Sequence, residues 1–201
     1  MILTLKDCVE DYPKWREMVL RCRAHFDEQI LADVAVLPIQ ENGETQIFDK
    51  HNRERIQLFL ALSDDFCAED KPLIRWLLRE NGKCFEFGFD ISKETAMAAF
   101  MLYKHMDWDD TLVLAACKFA YGSNELYMVD TEIALGFGLQ ETLDYLTQQN
   151  EPLCTAMAQE IRHYCGNMRL KPRAQFIDYF EQRRLGYLQE ELARDYGLID
   201  D

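Results

Sequence analysis

The segment Asp11–Phe26 reads DYPKWREMVLRCRAHF, and its spacing decides the fold class. Asp11 suits a helix N-cap and Pro13 the first helical turn. Apolar residues then recur at Trp15, Met18, Val19, Cys22, Phe26, Ile30 and Val34, three or four apart, which predicts one amphipathic helix. The same period returns along most of the chain. It predicts helices over about 53–66 (Ile56, Phe59, Leu60 and Leu62 inward), 71–80, 93–106, 111–121, 125–136, 139–149 and 152–165. Asn81-Gly82 is expected to stop the second of these, and Ser92 with Thr95 to open the third. A last element starts at Lys171-Pro172 and carries Phe176, Ile177, Phe180, Leu185, Leu188, Leu192 and Tyr196 on one stripe. Gly186 is a point at which it bends or divides, and Gly197-Leu198 reads as a helix stop with an apolar follow-on contact.

Two segments break the pattern. Residues 34–48 fit a hairpin around Asn42-Gly43, with Pro38 confining the first strand to an edge, or a loop between helices. Cys84-Phe-Glu-Phe-Gly-Phe-Asp90 alternates like a short strand whose phenylalanines wedge into the core. Residues 94–150 contain three similar helix starts, at Glu94-Thr95-Ala96, Asp110-Thr111-Leu112 and Asp130-Thr131-Glu132, which hint at stacked helical hairpins. The expectation is an all-α fold: a compact multi-helix domain of about eight or nine helices over residues 1–201, with room for one small β-hairpin.

Composition agrees with an ordered globular chain. Hydrophobic residues make up 48% of the 201, with only 9 Gly and 5 Pro, so the acidity is that of a folded surface rather than a disordered tail. The net charge of −14 argues against a nucleic-acid backbone or an anionic membrane as partner, because both require clustered Lys and Arg. Seven cysteines, an odd number without a Cys-x-x-Cys pair, read as reduced and mostly buried. Neither a secretory signal nor a membrane-spanning run is expected, so the cytoplasm is the expected compartment.

The charge is concentrated. The 57 residues between Lys104 and Arg162 hold ten carboxylates against the single base Lys118, a net of −9. Six aromatics are interleaved: Trp108, Phe119, Tyr121, Tyr127, Phe137 and Tyr145. Solubility alone explains charge of this kind in many proteins. The functional expectation is that Asp107, Trp108, Asp109, Asp110, Glu125, Tyr127, Asp130, Glu132, Glu141 and Asp144 dock a basic protein, whose cations relieve the self-repulsion of a face that lacks Lys–Glu pairs. For Asp107-Trp-Asp-Asp110 the structural alternative is a helix N-terminus with acids on the first-turn dipole and Trp108 in the core.

Catalytic and metal motifs are weaker. Glu160-Ile-Arg-His163 has the spacing of di-iron bundles, but such a site needs two copies and two further carboxylates. A surface Glu beside a partly buried His is expected instead. His25 with Glu28 and His51 with Glu54 suit helical ion pairs. Gly136-Phe137-Gly138 is too short to cradle a phosphate and reads as a helix break. For Lys171 with Arg173, and Arg183 with Arg184, an anion contact is one reading; the expectation is that they face solvent or the chain's own acids. No metal, cofactor or catalytic residue is therefore assigned.

The tail Leu185-Gly-Tyr-Leu-Gln-Glu-Glu-Leu-Ala193, with Gly197-Leu-Ile-Asp-Asp201 beyond it, resembles the helical immunity proteins that bacteria pair with secreted PoNe-type nuclease toxins. In that family a Gly-Tyr pair opens a helix, followed by a Gly-Ile-Asp-Asp-like end. Here Leu188 stands where the family has Trp, the interval to the Asp pair is shorter, and the tyrosine-rich extension is missing. The resemblance spans under a tenth of the chain and assigns no residue. It implies an acidic, helical, cytoplasmic protein that blocks a basic toxin. A helical adaptor or chaperone-like module, and an enzyme with a Glu/His site, are the alternatives.

Overall fold

The computed structural model describes residue 6 and residues 9–40, 47–120, 123–166 and 168–199, with residues 123–125 as backbone only. The chain is all-α apart from one two-stranded ribbon. In order come α1 (Tyr12–Ala24), a 3-10 turn (Glu28–Leu31), β1 (Pro38–Gln40), β2 (Ile47–Asp49), α2 (Asn52–Ser63), a 3-10 turn (Ala68–Asp70), α3 (Lys71–Glu86) and α4 (Ser92–Lys104). There follow a 3-10 turn (Trp108–Asp110), α5 (Thr111–Phe119), α6 (Ser123–Met128), α7 (Thr131–Ala134), α8 (Leu139–Gln148) and α9 (Pro152–Cys165). The last rod is α10 (Arg173–Tyr179), a π-helical turn (Phe180–Leu185) and α11 (Gly186–Asp195).

Two helices are buried nearly all round. Every residue from Arg55 to Ser63 in α2 is buried, as is every residue from Glu94 to Tyr103 in α4. A helix without a polar face must be covered on all sides. Helix α1 lies along α2, α3 along α4, and α11 closes over both. Phe180 in the π turn stacks on Phe100 of α4, ring centroids 3.9 Å apart. A second apolar cluster joins α5 to α8 and α9 through Ala115, Leu135, Leu146, Cys154, Ala158 and Ile161.

The fold has a period that the sequence hides. Helices α1, α2 and α4 begin at Tyr12, Asn52 and Ser92, 40 residues apart, and the 3-10 turns begin at Glu28, Ala68 and Trp108, again 40 apart. Matching positions share burial rather than identity. Val19, Phe59 and Ala99 are buried together, as are Val34, Ile74 and Leu114. In the first unit the second helix is replaced by turns and the ribbon. The similar starts at Glu94, Asp110 and Asp130 do open α4, α5 and α7, but at intervals that are not the period of the fold.

Several expected boundaries move. Helix α1 stops at Ala24 because His25 turns extended, and Asp27 then caps the 3-10 turn through Gln29 N at 2.9 Å. Asp11 makes no side-chain cap and instead adopts left-handed geometry at φ 49°. Asn81-Gly82 does not end α3: Asn81 is buried and its amide bonds the Thr95 hydroxyl at 3.2 Å. Cys84–Glu86 are therefore helical rather than a strand, and Phe85 and Phe87 are exposed rather than wedged into the core. A ribbon does form here, but only Pro38–Gln40 against Ile47–Asp49, with Ile39 opposite Phe48; residues 41–46, including the expected Asn42-Gly43 turn, lie outside the described residues. The helix expected over 125–136 is split, and the Lys118 ammonium, which takes the Leu126 and Val129 carbonyls, holds the break. Gly186 neither divides nor ends the last rod. Gly197, at φ +62°, closes the rod's end: its N–H and that of Leu198 bond back to Arg194 and Ala193 carbonyls at 2.9 and 2.8 Å.

The six described cysteines are free, and all but the half-buried Cys67 are buried. Cys8 lies outside the described residues.

Glu94 ties the rod's end to the core. Its Oε1 accepts from the Tyr196 hydroxyl at 2.8 Å, and that hydroxyl accepts from Asn52 at 3.2 Å. Burial lifts the Glu94 carboxyl from 4.5 to about 7, with Tyr196 and Arg55 opposing the rise and Asp90 adding to it. A carboxyl that binds its proton more tightly when folded favours the fold most below its unfolded pKa. That contribution is lost as pH rises through about 7. Chemical denaturation from pH 5 to 8.5 should therefore show stability falling with pH, and Glu94→Gln should flatten that slope.

Candidate functional site

The site grows from the 3-10 turn Trp108–Asp110 at the head of α5. Asp107 Oδ1 accepts from Asp109 N at 3.1 Å, and Asp110 Oδ2 accepts from Asp107 N at 3.0 Å, a reciprocal cap. Asp110 is fully buried and takes Arg75 Nε at 2.6 Å. Asp107 bonds Lys71 and lies 3.4 Å from Arg75 Nη2, and the Lys71 bond holds its carboxyl below the usual range. Of the three acids in the turn, only Asp109 faces outward without a base among the described residues. The same device recurs 40 residues earlier, where buried Asp70 caps Cys67 N at 2.9 Å and takes Arg23 at 2.7 and 2.9 Å.

Trp108, read from sequence as a core residue in the structural alternative, is 45% exposed. Its ring lies 4.2 Å from Phe137 and 5.6 Å from Tyr145. Phe137 is presented by a sharp bend between α7 and α8. Gly136 has φ +52°, and a Cβ there would meet the Met106 methyl at 2.7 Å; Gly138 has φ +143°, and a Cβ there would meet Glu141 Oε2 at 2.5 Å. The bend is the break expected from Gly136-Phe137-Gly138, and it brings the Phe137 ring beside Trp108 and the Glu141 carboxylate close to Gly138.

Helix α8 supplies the opposite wall. Glu141, Asp144, Tyr145 and Gln148 line a groove of about 410 Å³ together with Trp108. Their spacing puts them on one helical face. Asp144 accepts from Gln140 at 2.7 Å, and neither Glu141 nor Asp144 pairs with a base among the described residues. Burial raises the Tyr145 hydroxyl pKa, and the charge of Asp109 adds to the rise. On the far side of Phe137 a second groove, about 310 Å³, is lined by Glu132, Glu141, Lys171 and Arg173 among others.

The remaining predicted residues disperse. Asp130 pairs with Arg184 at 2.8 Å, and Glu132 with Lys171 at 3.8 Å. Tyr127 is 80% exposed on α6, away from the groove, and the Glu125 side chain and Tyr121 lie outside the described residues. Lys118, the one base of the acidic stretch, is buried, and its desolvation lowers its pKa. The face therefore does not lack internal support: Lys71, Arg75, Lys171 and Arg184 reach in from outside the stretch and bind four of its ten acids. Sequence reasoning missed this because all four pairs join distant segments. It also missed Gln148, and Arg173, whose guanidinium caps α4 through the Tyr103 and Lys104 carbonyls at 2.7 and 3.2 Å.

The other constellations do not assemble. Glu160 and His163 are both exposed on α9. Glu28 pairs with Arg79 rather than His25, and the His51 ring bonds the Ala35 carbonyl at 2.9 Å rather than Glu54. Among the described residues no group of three or more His, Cys, Asp or Glu is placed to hold a metal ion. No helix is long and apolar enough to cross a membrane among the residues described.

The two neighbouring acids should separate on substitution. Asp110→Ala removes the reciprocal cap and the shorter ion pair of Arg75, which keeps Asp107 at 3.4 Å and is partly solvated, so denaturant unfolding should show a loss of about 1–2 kcal/mol. Asp109→Ala should stay within about 0.5 kcal/mol, as exposed positions do. Compared with protein-family models, curated proteins and solved structures, the chain matches none, so the chemistry of this surface is what bears on function.

Proposed function

We propose that this chain is a non-enzymatic, cytoplasmic inhibitor of the immunity type, which neutralises a basic toxin domain of the nuclease class by binding its substrate face. The observation that carries the reading is the juxtaposition of three exposed carboxylates without an ion pair among the described residues, Glu141 and Asp144 in the groove and Asp109 next to Trp108 in its turn, with the half-exposed Trp108 ring layer. Carboxylates on such a face stand in for the phosphates that a nuclease's Lys and Arg are built to bind. The rings supply the rigid, desolvated anchor on which interface energy concentrates. The net charge of −14 steers a basic partner inward. The resemblance of the tail to PoNe-type immunity proteins agrees with this class of partner.

A helical adaptor or chaperone-like module is the second reading. It is favoured by the apolar side chains Leu37, Ile39, Ile47, Phe48 and Phe87, exposed on the ribbon and beside the end of α3. Exposed apolar side chains suit a second protein contact.

The test is the association rate with a purified cognate toxin domain, followed by protection in co-expression. Because Asp110 is buried, the informative triple reversal is Asp109, Glu141 and Asp144 to Lys. It should slow association by about tenfold or more at low salt, with the effect shrinking as salt rises. Reversing three exposed acids elsewhere, Glu17, Asp33 and Glu86, changes net charge equally and should matter far less. Equal effects of the two triples would show that overall charge, not this face, drives encounter.

A further inference from the structure

We propose that the groove between Trp108 and α8 is a receptor for an arginine side chain of the partner, selective for guanidinium over ammonium. The inference rests on the reading of this face as the docking surface and adds the chemical group that it recognises.

The chain itself shows how it holds a guanidinium. Arg173 lies 5.0 Å over the Tyr103 ring and 6.0 Å from Phe137, with carbonyl oxygens of Tyr103 and Lys104 on its Nη2. Arg184 lies 5.7 Å over Phe180, with Asp130 Oδ1 at 3.0 Å and the Met128 carbonyl at 2.6 Å. Both sites join an aromatic face to oxygen acceptors at the cation's edge. The groove at Trp108 has the same parts: rings of Trp108 and Tyr145 inclined by only 24°, the carboxylates of Glu141 and Asp144, and the amide of Gln148. No cation of the described residues lines it. The first two composites are filled from within, and the third is exposed, with no ion pair on Glu141 or Asp144 among the described residues.

The groove's chemistry favours Arg over Lys. A guanidinium is planar and weakly hydrated, so it loses little on leaving water and stacks on an indole or phenol face. Its five N–H donors form a fork that two carboxylates and an amide oxygen can satisfy together. An ammonium is a compact, strongly hydrated charge that gains less from the rings. The aromatic wall is set before binding: the Asp107–Asp110 cap fixes the turn that carries Trp108, and its ring lies 4.2 Å from Phe137 and 5.6 Å from Tyr145.

The experiment needs no toxin. The intact protein is titrated with N-acetylarginine amide, N-acetyllysine amide and neutral N-acetylglutamine amide. Trp15 and Trp76 are each 3% exposed, so a fluorescence or indole NMR response to a small solute reports on Trp108. The arginine derivative should bind in the millimolar range, roughly fivefold or more tighter than the lysine derivative, and the glutamine derivative should not bind. Glu141→Gln with Asp144→Asn should weaken it by about tenfold. Gln148→Ala, which leaves the helix cap intact, should weaken it less but measurably, and Trp108→Phe should abolish the fluorescence response. Equal binding of lysine and arginine derivatives, no response at Trp108, or full binding by the Glu141/Asp144 variant would each overturn the proposal. If the arginine derivative fails while reversal of Asp109, Glu141 and Asp144 still slows toxin association, the docking face stands and its arginine receptor falls. If the arginine derivative binds but toxin association ignores those reversals, the receptor exists and the docking reading falls.

Discussion

Helix α4 has no face to give to water, and the rest of the molecule is arranged around that fact. Every residue from Glu94 to Tyr103 is buried, including a carboxyl and a threonine. The apolar ones draw α3, α5, α6 and α11 onto it from all sides. The polar ones must find partners, since an unmet buried group costs about 1–3 kcal/mol. Thr95 finds Asn81 and Glu94 finds Tyr196, so the same burial that collapses the core also fixes where α3 and the last rod sit. The π turn belongs to this arrangement: the six residues Phe180–Leu185 form it, and the first of them, Phe180, stacks on Phe100.

Around that centre the chain repeats a helix, a 3-10 turn and a second helix, and it marks two of the turns with a buried aspartate. Asp70 and Asp110 each cap their own turn and each receive an arginine from an earlier helix, Arg23 and Arg75. In each pair the carboxylate is buried and the guanidinium partly exposed, so solvent screens the attraction and the pair adds little net stability. Their contribution here is positional. The turn locked by Asp110 is the one that carries Trp108, so a structural staple and the exposed ring share three residues. That coupling lets an aromatic side chain remain 45% exposed without losing its place.

The acidic stretch divides along the same line. Asp107, Asp110, Asp130 and Glu132 belong to the fold, each met by a base from another segment. Among the described residues Asp109, Glu141, Asp144, Glu151 and Glu160 have no ion pair; Glu141 and Asp144 line the groove at Trp108, and Asp109 follows Trp108 in its turn. The proposed docking face rests on the subset that stands beside exposed rings, since solubility alone needs charge but no rings.

The all-α class, the stripes on α1 and the last rod, the break at Gly136-Phe137-Gly138 and the Gly197 stop were legible in the sequence, because each depends on residues within a turn or two of one another. So was the concentration of acids and aromatics between Lys104 and Arg162. What tertiary structure alone decided is which of those acids are free. The bases that bind Asp107, Asp110, Asp130 and Glu132 stand between 32 and 54 positions away in sequence, a distance over which periodicity is silent. The passage of α3 through Asn81-Gly82 was hidden for the same reason, since Thr95 and Arg55, which hold Asn81 and Cys84, come from other helices. The 40-residue period was hidden for another: Val34, Ile74 and Leu114 fill equivalent places, and burial constrains volume and polarity but not identity.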